Sequence, residues 1–244
     1  MPGIGYEGTY RVRETLVEAH RIAWRRIAEP GAWLDGARRV AVAAEVRAAE
    51  DCALCRERKE ALSPFAVEGE HEATDLLSAA EVELVHRLTT DPGRLSRAWT
   101  EGLLAAGVSE EVYVEIVSIV CIVMVIDTFR RSLDLAPFDL PEPVAGAPTG
   151  YRAPGARRHD AWISLVQPED VVESDGDLYG PVASPVVKAF SLVPQAKRDY
   201  WDLAEVHYLP GSEMTNFATD VRAIDRMQME LVAGRVSALH QCVY

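Results

Sequence analysis

Glu115-Ile-Val-Ser-Ile-Val-Cys-Ile-Val-Met-Val-Ile-Asp127-Thr-Phe129-Arg130 is the stretch on which the reading of the fold turns. Its apolar run, Ile116 to Ile126, is 11 residues long and ends at Asp127. A bilayer-spanning helix needs roughly 18 or more apolar residues, so this run reads as a buried helix of a soluble bundle. Ser109 stands where an N-cap belongs and Glu110 follows in the first turn, which predicts a helix running to about Leu133.

The helical period continues outward on both sides. Tyr10 to Ala28 carries apolar residues at helical spacing and is stopped by Glu29-Pro30-Gly31. Asp35 opens a helix through an alanine-rich stretch to about Ala61, and Ala73 to Thr89 and Pro92 to Ala106 read as two more. Ala136 to Gly155 holds five prolines and three glycines and reads as a linker or lid; Val171 to Pro185 reads as an acidic surface loop. Helices resume at Pro185 to Leu192, Pro194 to Tyr208, and from Met214 or Phe217 onward. Strand signals are nearly absent. The expected fold is therefore all-α: an N-terminal helical half over 1–135, a linker or lid over 136–184, and a C-terminal helical half over 185–244.

Composition narrows the function. Apolar residues make up 48% of the 244, enough to bury a sizeable core. With 25 basic and 38 acidic residues the net charge is −13, which argues against a nucleic-acid groove or an anionic-membrane surface. Met1 to Tyr10 lacks the basic-then-apolar order of a secretory signal, and a cytoplasmic protein is expected. Four cysteines are too few for a disulfide scaffold, and two of them form Cys52-Ala-Leu-Cys55, which in a reducing compartment points to redox or metal chemistry. Phosphate-cradling glycine patterns and Gly-x-Ser-x-Gly are absent, and no cofactor is called for.

Three helices align without gaps at offsets of 75 and 115 residues, starting at Val40, Glu115 and Glu230. Each has an acid five positions earlier: Asp35, Glu110 and Asp225. The second and third copies share a glutamate, eleven residues, then Asp127 or Cys242, with Phe129 or Tyr244 two further on. Any two amphipathic helices can be aligned, but three gap-free copies sharing the acid read as an internal repeat.

The third copy resembles the active-site helix of the alkyl hydroperoxidase D-like, carboxymuconolactone decarboxylase family, whose redox motif is Glu, eleven residues, Cys, two residues, Cys, three residues, His. Glu230 and Cys242 stand at that spacing, and Leu231, Val232, Ala233, Val236, Ala238 and Leu239 between them suit a buried helix. Tyr244 immediately precedes the position of the second cysteine. One reading is a selenocysteine there whose UGA codon was taken as a stop; a frameshift, a fragment or a natural terminus are the others. A selenol suits the position, because the second cysteine of the family attacks peroxide and a thiol of ordinary pKa is mostly un-ionised at neutral pH.

The resemblance implies an all-helical peroxidase that reduces a small hydroperoxide, is regenerated by a thioredoxin-like or lipoyl protein, and forms a homo-oligomer. Cys242 would be the resolving thiol. Glu230 lies twelve residues earlier, about 18 Å along a straight helix, so it would act through a break in the helix or through a proton relay. His240, two residues before Cys242, falls on another face and reads first as a helix surface residue. The second copy, with Asp127 and Arg130 in place of cysteines, reads as degenerate and kept for packing, and Cys121 as a core residue. The first copy has the complete Cys52-x-x-Cys55, but Val40 replaces the glutamate and Lys59 the histidine. Cys52 and Cys55 read first as a redox dithiol, next as structural, and third as half a zinc site, for which His71 and His86 are the nearest further ligands but lack zinc-like spacing. Arg56, Arg58 and Lys59 are expected to lower a thiol pKa. A lactone decarboxylase and a non-catalytic helical scaffold are the alternative functions.

Overall fold

The computed structural model describes residues 5, 6, 8, 10–72, 75–180, 183–218 and 220–239. These are all-helical: α1 (Glu14–Ala28), α2 (Gly36–Asp51), α3 (Ala53–Glu60), α4 (Ala79–Thr90), α5 (Arg97–Ala105), α6 (Glu110–Ser132), α7 (Pro185–Lys188), α8 (Pro194–His207) and α9 (Arg226–Leu239). Among the described residues the only β-type pairing is an isolated bridge between Arg157 and Leu165.

Several helix starts carry side chains that accept orphan N–H groups. Asp35 accepts from the backbone N–H of Arg38 at 2.9 Å, and Ser109 from that of Val112 at 3.2 Å. Ser78 and Glu81 cap α4 reciprocally, at 3.3 and 2.8 Å. Asp225 accepts from the N–H of Gln228 at 2.8 Å just before α9. The acids shared by the three repeats thus all stand at helix starts, with Glu110 the first residue of α6.

Helix α6 is the axis of the bundle and packs against α2, α4 and α8; α1 completes the layer on α2 and α8. Ile116, Ile119, Val120, Val123 and Ile126 are each at most 2% exposed. Their spacing gives one apolar stripe, and each buried side chain contributes on the order of 1.5–3 kcal/mol. By length and composition α6 could cross a membrane, yet most of it is enclosed by the neighbouring helices. The proline-rich segment is strapped over the α1–α2 turn: Val144 N–H donates to Ala28 O at 2.8 Å and Gly150 N–H to Ala32 O at 2.7 Å. Gly36 lies under this strap, where a Cβ would come within 2.2 Å of Ala28 O.

Besides shifted ends, with α4 starting at Ala79, α5 at Arg97 and α7 stopping at Lys188, two elements differ from expectation in kind. The helix predicted from Asp35 to Ala61 breaks at Cys52, whose ψ of 124° is extended. Helix α9 forms, but the apolar residues expected to be buried are not: Leu231 is 75% and Leu239 63% exposed, and only Arg226 and Met229 of this helix are buried.

Between α1, α8 and the N-terminal segment lies a histidine pair, His20 buried and His207 partly buried. His20 Nε2 and His207 Nε2 are 2.6 Å apart, and the Tyr6 hydroxyl meets His20 Nδ1. Burial, then the neighbouring His207 and Arg130, hold His20 down at about 3. Burial, then Arg13, holds His207 at about 4. Both are neutral in the folded state at neutral pH, whereas the unfolded chain protonates them near 6.5. Lowered basic groups contribute stability that is complete above 6.5 and is lost as pH falls towards the folded values. The melting temperature is expected to drop from pH 7 to pH 5, at up to about 1.4 kcal/mol per pH unit per histidine. His207→Gln should flatten that slope; an unchanged slope would show that the pair does not titrate on unfolding.

Candidate functional site

The break at Cys52 makes the site. Cys52 ends α2 and is the N-cap residue of α3, which places Cys55 in the first turn of α3. Arg56 stabilises the break by donating to Asp51 O, a carbonyl at the end of α2, at 2.8 Å. Free N–H groups at the start of α3 favour a thiolate there. Helix α4, packed along α2, presents Glu83 and His86 three residues apart on one face. The connection between α3 and α4 folds back and delivers His71.

Cys55 Sγ lies 3.2 Å from His86 Nδ1 and 3.9 Å from His71 Nδ1; Cys52 Sγ lies 3.4 Å from His71 Nδ1. Each imidazole has its other nitrogen on a carboxylate: His86 Nε2 to Glu45 Oε1 of α2 at 2.6 Å, and His71 Nε2 to Glu83 Oε2 at 2.8 Å. Glu83 is held in turn by Arg58 Nη1 at 2.7 Å and by the Trp99 indole N–H at 3.1 Å. Cys55, His86 and Glu45 are buried, while Cys52 is partly accessible. A cavity of about 360 Å³ lies beside Arg58 and Glu83, walled also by Phe65 and Arg87.

The charges follow from this geometry. Burial pushes the Cys55 thiol up, but hydrogen bonds from His71, His86 and Thr90 outweigh it and bring the thiol down to about 6. Burial lowers His71, while Cys55, Glu83 and Cys52 raise it to about 10. Burial likewise lowers His86, and Cys55 with Glu45 raises it above its ordinary value. Glu83 is raised by burial and lowered further by His71, Arg58 and Trp99, to about 2. The thiolate partners are therefore the two histidines rather than the basic residues expected at 56, 58 and 59: Arg58 is committed to Glu83 and Val67 O, and Lys59 is exposed.

Comparison of the chain with family models, curated proteins and solved structures finds no match. What the cluster can do rests on its own geometry.

Of the other sites read from the sequence, Cys242 and His240 lie outside the described residues. Glu230 sits on α9, where it accepts from Tyr208 Oη at 2.9 Å and from Arg226 Nε at 2.6 Å with its side chain 41% exposed. Glu115 of the second copy is buried and accepts the backbone N–H groups of Trp33 and Leu34, at 2.6 and 3.3 Å. Asp127 and Arg130, at the cysteine positions of that copy, also hold structure. Asp127 takes a two-pronged pair from Arg47 at 2.8 and 3.0 Å, and Arg130 donates to Ala136 O and Gly5 O. Burial raises Cys121 to about 11, so it is un-ionised.

The spacing of His71 and His86 does not mark them as ligands in the sequence, and nothing there singles out Glu45 or Glu83. The relevant spacing is not along the chain: α2 and α4 lie side by side, and Glu83 and His86 share a helical face whose partner thiol is on α3.

Proposed function

We propose that the protein is a dithiol oxidoreductase that reduces small hydroperoxides at Cys55, with Cys52 as the resolving thiol. The observation that carries this reading is the line Cys55 Sγ–His86 Nδ1–His86 Nε2–Glu45 Oε1, at 3.2 and 2.6 Å, which supplies an ionised sulphur and a proton donor beside it. This arrangement is similar in kind to the proton relay that the resemblance to the alkyl hydroperoxidase D-like family implies, with its members drawn from three helices rather than along one. In this reading the glutamate missing at Val40 is replaced by Glu45, and the histidine missing at Lys59 by His86 from α4.

The Cys55 thiolate attacks the terminal oxygen of ROOH and breaks the O–O bond. Sulphur becomes a sulfenic acid, and the departing alkoxide takes a proton from His86 and leaves as ROH. The Cys52 thiol then attacks that sulphur and forms the Cys52–Cys55 disulfide, releasing water. Two thiols have lost two electrons and two protons, and the peroxide has gained them. Buried Cys55 restricts the oxidant to small or slender hydroperoxides. Partly accessible Cys52 suits exchange with an external dithiol, such as a thioredoxin-like or lipoyl protein.

Steady-state consumption of hydrogen peroxide or a small alkyl hydroperoxide, in chelator with dihydrolipoamide or a thioredoxin as reductant, tests the reading. His86→Gln should slow turnover about 10²–10⁴-fold, the range of a general acid–base group. Equal rates for wild type and variant would remove the relay from the mechanism.

A further inference from the structure

The two thiols and the two imidazoles can do something else together. The four ligand atoms, the sulphurs of Cys52 and Cys55 and a nitrogen from each of His71 and His86, lie within 4.8 Å of one another. A tetrahedral zinc ion with bonds of about 2.3 Å to sulphur and 2.0–2.1 Å to nitrogen spaces such atoms about 3.4–3.8 Å apart. The three sulphur–nitrogen separations, 3.2, 3.4 and 3.9 Å, bracket that range.

The surroundings of the imidazoles point the same way. Both histidines turn Nδ1 to the sulphurs and Nε2 to a carboxylate, Glu83 for His71 and Glu45 for His86. A metal-bound histidine characteristically donates its second N–H to a carboxylate, which orients the ring and raises its basicity. Here both rings have that support, and Glu83 is itself anchored by Arg58 and Trp99. Two thiolates with two imidazoles form a borderline-soft donor set that favours zinc over magnesium or calcium. Four protein donors fill a tetrahedron, so no position remains for a reacting water.

We propose that Cys52, Cys55, His71 and His86 bind one zinc ion tetrahedrally, and that the bound ion caps both sulphurs and keeps the dithiol from reacting. Binding itself does not depend on the peroxidase reading; the capping clause rests on it. The ion would also clip the α3–α4 connection, through His71, to the start of α3 and to α4. Oxidation of the sulphurs to the disulfide by a hydroperoxide would remove two of the four ligands and release the metal, so zinc-bound and disulfide forms exclude each other.

The test uses the full chain, reduced and metal-stripped, with zinc titrated against a chromophoric chelator. One zinc per chain is expected, with a higher melting temperature in zinc and slower reaction of the Cys52 and Cys55 thiols with a disulfide reagent. His71→Gln and Cys52→Ser should lose stoichiometric binding. Glu83→Gln and Glu45→Gln, which keep all four ligands, should weaken it about 10–100-fold. Because a ligand variant can misfold, cobalt is also added to the wild-type chain, where thiolate-to-cobalt charge transfer and intense tetrahedral visible bands are expected. No zinc held against the chelator, cobalt bands without thiolate character, or undiminished affinity in His71→Gln would overturn the site. Zinc binding with no peroxide consumption by the metal-free chain would sink the peroxidase reading and the capping clause, and leave the site standing.

Discussion

Replacing Arg39 with methionine is expected to destabilise the chain by about 3–5 kcal/mol, the cost of leaving a buried charge without its partner. Arg39 is 2% exposed and reaches two carboxylates that are almost as buried, Glu115 and Asp199, the latter at 3.3 Å. Its second function is to donate to Arg26 O at 3.1 Å, close to the end of α1. Glu115 in turn holds the N–H groups of Trp33 and Leu34, so one guanidinium ties α2, α6, α8 and the α1–α2 turn together. Gly31 belongs to the same arrangement: a Cβ there would come within 1.8 Å of a Glu115 carboxylate oxygen. For a chain of this length the loss corresponds to a fall in melting temperature of roughly 6–20 °C. The control is Arg131→Met, which removes a pair to Glu50 that is half-exposed on both sides and is worth about 0–1 kcal/mol. Similar melting temperatures for the two variants would show that the buried network is not the clasp described here.

The largest effect on activity is expected from the two cysteines, and the two variants should fail differently. Cys55→Ser removes the attacking sulphur; peroxide consumption should fall to background, because a hydroxyl is not ionised by His86 as a thiol is. Cys52→Ser leaves the attack intact and removes the resolving thiol. It should consume one equivalent of peroxide rapidly, stop, and carry a trappable sulfenic acid on Cys55. A dimedone adduct on Cys55 of the Cys52→Ser chain, measured by mass spectrometry, checks this. If the adduct instead appears on Cys52 of the Cys55→Ser chain, the roles are reversed.

Much of the bundle is legible in the sequence. The apolar period of α6, the serine and aspartate caps, and the proline stops all act locally, and local signals survive in one dimension. The starts of α2 and α9 are legible through Asp35 and Asp225, which accept the first N–H groups of their helices. The break at Cys52 was hidden by the alanine-rich run on its N-terminal side, which favours continuing the helix. The cluster around the dithiol is non-local: His71 arrives on an irregular connection, and no local signal distinguishes Glu45 and Glu83 from other helix glutamates. The packing of α2 against α4 buries Glu45 and leaves Glu83 partly exposed. Glu230 and Cys242 stand at the spacing of the family motif along the chain, whereas Glu45, Cys55 and His86 come together only through the packing of α2, α3 and α4.

The central claim is that Cys52, Cys55 and the histidines around them form one redox centre. Its most direct measurement is peptide mapping of the reduced, metal-free chain after a single equivalent of hydroperoxide, with every free thiol alkylated before digestion. One Cys52–Cys55 disulfide per peroxide consumed is expected, with Cys121 alkylated throughout. Cys52 and Cys55 both remaining alkylated after the peroxide has gone, or oxidation confined to other sulphurs, would contradict it.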